Sequence, residues 1–161
     1  MGSKYIKRKK SGKNQHRSLR METISAQSQY ERLKTSFPDL VQEELSDTKF
    51  SVVIKLRPDV FSKEYDVRVL FETGRVSVYV IGELKIASNR TKLPHVYSNE
   101  LKHICLYGKE GESWSSEKSI VSTIVPWASE WLYYYELWLI DGQWHGGGHD
   151  EYANEKKVKN E

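Results

Sequence analysis

The single cysteine of this 161-residue chain, Cys105, is the first candidate for chemistry. A buried cysteine is often an inert apolar side chain. Cys105, however, lies among basic residues, with Lys102 and His103 before it and Lys109 after it. Nearby positive charge favours the thiolate, which is the nucleophilic form of the side chain. From residue type and placement alone a buried structural cysteine is favoured, and a nucleophilic thiol is the alternative that the basic neighbours support.

Three histidines, His103, His145 and His149, are the next candidates. His103 precedes Cys105 by two residues, which on an extended strand places both side chains on one face. It is a candidate base for the thiol, or else a solvent-facing histidine. His145 and His149 flank three glycines and could complete a zinc site, but the paired-cysteine spacing of such sites is absent. We predict no metal or cofactor, and interpret this stretch as a turn folded back near the cysteine or a surface loop.

The elements that must position these residues are predicted from apolar spacing. Helical spacing predicts a first helix over roughly 22–36, which Pro38 ends. Alternation then predicts three strands, at 50–56, 65–71 and 76–80. Their short connections favour an antiparallel meander. The prediction is thus an α+β domain.

Residues 82–116 follow the meander and contain Cys105. An irregular stretch of this length is usually functional or disordered, and its apolar residues argue against disorder. A second helix is predicted from near Ser116, an N-cap candidate, to Gly142, with a kink or a break at Pro126. Its Trp and Tyr residues recur at helical spacing, which favours a core stripe over a binding surface.

Composition and charge restrict the class of protein. Residues 1–20 contain eight Lys or Arg and no acid, so they are predicted to form a disordered basic tail before a domain at 21–150 and a flexible tail at 151–161. Without the basic tail the domain is acidic, which argues against nucleic-acid binding. One cysteine and no apolar run near the roughly 20 residues of a membrane span indicate a cytoplasmic protein.

Several short motifs, in order and spacing, resemble the active-site region of ubiquitin-conjugating enzymes. That family has a His-Pro-Asn motif, an Ile-Cys-Leu segment and a downstream Trp-Ser leading into a helix. The matching residues are His95, Ile104-Cys105-Leu106 and Trp114-Ser115. His95 lies ten residues before Cys105, as in the family, and Trp114 lies nine after it, about one more than usual. The resemblance covers roughly 22–140 and implies a UBC-like fold in which Cys105 forms a thioester.

The chain departs from the family at two positions of the site. Tyr97 stands in the place of the Asn that stabilises the oxyanion, and its hydroxyl is a donor of longer reach. Tyr107 replaces the acid that follows Ile-Cys-Leu. The resemblance gives His95 the task of holding the active-site loop, and makes Trp114 and Tyr107 candidates for partner binding. It implies an acyl carrier that lacks the usual Asn for transfer to lysine.

Three further segments look most like the bacterial branch of the family, which is encoded beside cyclic-oligonucleotide synthases (CD-NTases) in CBASS anti-phage operons. They are Pro94-His95-Val96-Tyr97, Cys105-Leu106-Tyr107 and the tryptophan-rich 126–132. The resemblance implies a short stand-alone form whose acyl donor is the C-terminal carboxylate of a partner CD-NTase. The alternative is a non-catalytic module that scaffolds the synthase. Neither a membrane nor a small-molecule substrate is expected.

Overall fold

The computed structural model describes residues 22–106 and 113–147. Predictions that involve Tyr107, Lys109, His149 or the two terminal tails lie outside the described residues. Helix, sheet and helix follow one another along the chain, which confirms the predicted α+β class. The elements are α1 Ala26–Ser36, β1 Val41–Leu45, β2 Lys49–Leu56, β3 Tyr65–Glu72, β4 Arg75–Ile81, β5 Val96–Ser98, β6 His103–Ile104 and α2 Ile124–Asp141.

Helix α1 is the predicted N-terminal helix, and its apolar stripe faces the core. Ser25 caps it by accepting a hydrogen bond from the Ser28 N–H, at 3.2 Å. The side chains of Ala26, Tyr30 and Leu33 are buried, as their spacing predicted.

The described strands form one antiparallel sheet in the order β1-β2-β3-β4-β6-β5. The predicted meander is confirmed for β2, β3 and β4. Thr73 and Gly74 join β3 to β4 with φ of 48° and 79°, the positive values that a two-residue turn between twisted strands requires. Strand β1 was not predicted because four of its five residues are exposed, so it has no alternation.

The inner face of this sheet holds the core. Its side chains alternate with polar ones that face outward, and helices α1 and α2 supply the rest of the buried residues. Stacked rings of Phe50 and Phe71, with centroids 5.4 Å apart, lie near its centre. Within the described residues, neither helix is long and apolar enough to cross a membrane.

Helix α2 begins at Ile124, so the predicted start near Ser116 is wrong. Residues 120–123 form turns instead, and Pro126 is the third residue of the helix. In the first turn a backbone N–H has no intrahelical acceptor, so Pro126 costs no hydrogen bond there and marks the start of the helix. The helix ends at Gly142, as predicted, where the Gly142 N–H donates to the Trp138 carbonyl at 2.7 Å.

Candidate active site

A short hairpin carries the candidate nucleophile. Strands β5 and β6 pair antiparallel through Val96 and Ile104, and β6 joins the main sheet opposite Tyr79. One residue beyond this pair, the Cys105 N–H donates to the His95 carbonyl at 2.9 Å. The ten-residue spacing of His95 and Cys105 is therefore the spacing of two residues that face each other across a hairpin. The stretch predicted to be irregular contains these two strands.

The loop before this hairpin and the turn within it are held by two residues, Asn99 and Ser98, that the sequence did not single out. The Asn99 side-chain oxygen accepts a hydrogen bond from the Leu93 N–H at 2.7 Å, and the Ser98 hydroxyl accepts one from the Leu101 N–H at 3.1 Å. Asn and Ser side chains commonly hold turns by bonding to nearby backbone. In the sequence, the short polar run in which these residues lie is the feature that could have indicated this role.

His95 is the centre of the site. Its side chain is 4% exposed and its φ is 45°, a value that is uncommon for a residue with a side chain. Its carbonyl accepts a second hydrogen bond from the indole N–H of Trp131, at 3.1 Å. His95 thus connects the backbone of Cys105 to helix α2. This is the position that the predicted loop-holding role requires, and the role itself stays a prediction.

Helix α2 holds the same loop at further points. The Tyr135 hydroxyl donates to the Lys85 carbonyl at 2.9 Å. At the C-terminal end of the helix, the Asn89 amide donates to the Asp141 carbonyl at 3.0 Å and the Arg90 guanidinium to the Gly142 carbonyl at 2.7 Å. Carbonyls at this end of a helix lack intrahelical donors and attract cations.

These contacts explain why α2 uses Trp and Tyr where an ordinary core helix uses Leu. The predicted core stripe is confirmed, since Trp131 and Trp138 are buried, as is Tyr135 beside them. A buried Trp or Tyr adds a donor to a large apolar ring, and two of these donors satisfy loop carbonyls. Trp138 is the exception: its Nε1 has no hydrogen-bond partner among the described residues.

The thiol itself is largely covered, because Cys105 is only 8% exposed. A side chain so buried meets a reagent through local opening of the surrounding structure. The reactivity of Cys105 therefore depends on how firmly the hairpin is held.

His103 and Tyr97 lie together at the edge of the sheet. The His103 ring stacks on Tyr79 at 4.5 Å between centroids, and Tyr97 lies 4.8 Å from it on a tilted plane. Burial lowers the pKa of His103, which favours the neutral imidazole that can accept a proton. Within the described residues no hydrogen bond joins this ring to Cys105. Tyr97 is 63% exposed.

A groove of about 590 Å³ beside the hairpin is lined by three of the predicted residues. Tyr97, His103 and Trp114 contribute to it, as do Ile104 and Leu106 on either side of Cys105. The Trp114 indole also packs edge-on against Phe71 at 6.3 Å and donates to the Thr123 hydroxyl at 3.0 Å. Trp114 is thus partly a core residue and partly a groove residue.

The stretch after α2 folds back onto the site, which was one of the two interpretations of its sequence. The Trp144 ring lies 4.8 Å from that of His95. His145 bonds to Asp141 at 2.7 Å, and the Gln143 N–H donates to the same carboxylate at 2.7 Å. The pKa of Asp141 is lowered, chiefly by the Gln143 N–H and then by His145. In the part of the chain that the structure describes, no three His, Cys, Asp or Glu residues are grouped as a metal site requires.

The segment between Cys105 and α2 is fixed by Gln29, which the sequence did not reveal. Gln29 is completely buried in α1. Its amide donates to the Lys118 carbonyl at 2.8 Å, and its oxygen accepts from the Ile120 N–H at 2.9 Å. Nearby, the Ile24 N–H donates to the Ser116 carbonyl at 2.7 Å. A polar residue on the buried side of a predicted helix is the signal that could have identified it.

Together, the N-terminal helix, the antiparallel sheet and the cysteine at the end of a hairpin define an E2-like α+β protein. The sequence profile of the Type II CBASS E2 protein family matches residues 29–151, and the chain belongs to this family. None of the curated proteins compared with the chain matches its sequence. The family implies an E2-like role in CBASS anti-phage defence.

Proposed function

We propose that this chain carries an acyl group as a thioester on Cys105, and that the acyl group is the C-terminus of a partner CD-NTase. The observation that supports this most directly is the hydrogen bond from the Cys105 N–H to the buried His95 carbonyl. Helix α2 fixes that carbonyl through Trp131, so the nucleophile is placed by the scaffold and not by a free loop.

The reaction is acyl transfer without a redox step. The donor is a C-terminal carbonyl already activated as a mixed anhydride or a thioester. The Cys105 thiolate attacks its carbonyl carbon, a C–S bond forms, and the phosphate or thiol of the donor leaves with the electron pair of the broken bond. The thiol proton passes to water or to His103, whose lowered pKa keeps its imidazole neutral and able to accept it.

The groove beside the hairpin gives an extended C-terminal tail a place to lie. Its walls include Trp114 and the aromatic pair Tyr97 and His103, and aromatic side chains are common anchors in binding surfaces. Binding there would lay the tail along His103, Ile104 and Leu106, the chain neighbours of Cys105, which does not itself line the groove. The predicted role of Trp114 in partner binding is part of this proposal.

The direct test is intact-protein mass spectrometry of the chain isolated from cells that contain its CD-NTase and the rest of its operon. A species whose added mass equals that of the CD-NTase less one water, mapped to the Cys105 peptide and removed by thiol, is the expected result. A complex that forms without any covalent adduct would contradict it. That outcome would favour the scaffolding module, an alternative supported by the 8% exposure of Cys105 and by Tyr97 in place of Asn.

Tyr97→Phe is expected to slow discharge of the Cys105 adduct about tenfold, while formation of the adduct and partner binding stay nearly unchanged. A donor in a preorganised, water-free site is worth about 10²–10³ in rate, and the exposure of Tyr97 reduces that contribution because water competes for the oxyanion. Single-turnover discharge kinetics measure the effect. Tyr79→Phe is the matched control, since Tyr79 contacts the same histidine from the other side. An unchanged rate for Tyr97→Phe would leave Tyr97 as a packing residue.

A further inference from the structure

Trp144 covers the residue that holds the candidate nucleophile. Its indole lies 4.8 Å from the His95 ring and 5.9 Å from the rings of Trp131 and Tyr134, all between centroids. It therefore touches both His95 and Trp131, the residue whose indole N–H bonds to the His95 carbonyl. No prediction from the sequence gave Trp144 a part in the site.

The turn that carries Trp144 is built to hold the indole in this place. The Trp144 indole N–H donates to the Gly147 carbonyl at 3.1 Å, which closes the turn on itself. A Cβ on Gly146 would lie 2.9 Å from the Trp144 indole and from the Tyr134 ring, so a residue without a side chain is needed there. The Gly-rich sequence after α2 thus allows close packing of an indole against the site.

The backbone conformation of His95 needs packing of this kind. A non-glycine residue at positive φ persists only where its surroundings hold it, and its own carbonyl is what fixes the Cys105 N–H. We propose that Trp144 is a positioning residue for Cys105: its indole clamps the His95 ring, which keeps the His95 carbonyl directed at the Cys105 and Trp131 N–H groups. The importance of Trp144 for catalysis rests on the proposed thioester function, whereas its effect on the accessibility of Cys105 does not.

The test uses the full chain alone, because Cys105 is its only cysteine and any alkylation reports on that thiol. Trp144→Ala is expected to raise the rate of alkylation by iodoacetamide about tenfold in the absence of denaturant, since the loss of a packed aromatic group favours local opening. Amide hydrogen exchange at Cys105, followed by NMR, should accelerate by a similar factor. Trp144→Phe, which keeps a ring over His95, should restore most of the protection.

Trp127→Ala separates this effect from a general loss of stability. Trp127 is a half-buried tryptophan of α2 that packs on the core. Its loss should lower the melting temperature without accelerating exchange at the Cys105 amide. Equal acceleration in the Trp127 and Trp144 variants, or a Trp144→Ala protein that protects Cys105 as well as the wild type does, would overturn the proposal. Acceleration confined to Trp144→Ala supports it even where no CD-NTase adduct is found, so its failure and that of the proposed function are distinguishable.

Discussion

Cys105→Ser is expected to convert an adduct that thiols remove into one that they do not, and Cys105→Ala is expected to abolish the adduct completely. A serine hydroxyl that attacks the same activated carbonyl forms an oxyester, which reducing agents leave intact. The alanine variant keeps the small apolar volume of a site that is 8% exposed and lacks any nucleophile. No other cysteine is present to take its place.

The measurement compares wild type, serine and alanine variants made in cells with the complete operon, by gel shift with and without thiol. Melting temperatures of the three proteins serve as the control, because Cys105 is buried and a misfolded variant would also lose the adduct. An adduct that persists in Cys105→Ala would place the acyl group on another residue. Peptide mapping would then identify a lysine or hydroxyl as the site and exclude Cys105 as the carrier.

Elements with a repeated apolar pattern could be predicted from the sequence. The stripe of α1 and the alternation of β2, β3 and β4 each arise because one face of the element is buried. Strand β1 has no buried face, so nothing in its sequence distinguishes it from a loop. Strands β5 and β6 are three and two residues long, too short for any period, and they exist because they pair with each other and with β4.

The start of α2 was placed too early for a related reason. Ser116 is a good capping residue, but capping preference is a weak signal, and the Ser116 carbonyl bonds to the Ile24 N–H instead. Pro126 gave the better indication of the boundary, because proline is accepted in the first turn of a helix and penalised in its interior.

Only the short-range features of the candidate site could be predicted from the sequence. The spacing of His95 and Cys105 reflects a hairpin, and that is a short-range feature. The residues that hold this hairpin and the segment after Cys105 come from far along the chain: Trp131 is 36 residues from His95, and Gln29 is 91 from Ile120. Side-chain bonds to distant backbone groups leave no periodic pattern in the sequence. They became visible only in the fold, where Gln29 of α1 and Trp131 of α2 bond to backbone groups that follow and precede Cys105 in the chain.

Gln29→Leu is expected to lower the free energy of unfolding by about 2–4 kcal/mol, because it leaves the buried Ile120 N–H and the Lys118 carbonyl without their partner. Leucine fills a similar volume, so the loss reports on hydrogen bonding more than on packing. Gln27→Leu is the matched control: Gln27 lies on the exposed side of the same helix, where its amide donates to the Glu31 carboxylate. Urea unfolding of both variants measures the difference, and the control should change by less than about 0.5 kcal/mol.

Gln29→Glu separates the hydrogen bonds from every other property of this side chain. A protonated Glu has one donor and one acceptor oxygen in the positions of the Gln amide, so it can serve both Lys118 and Ile120. The ionised form loses the donor and buries a charge, which raises the folded-state pKa above the unfolded value of about 4.3. Stability of the variant should therefore be near that of the wild type at pH 4 and fall progressively as the pH rises through the folded pKa. A deficit that is equally large at pH 4 and pH 8 would show that the shape of Gln29, and not its two hydrogen bonds, holds the segment between Cys105 and α2.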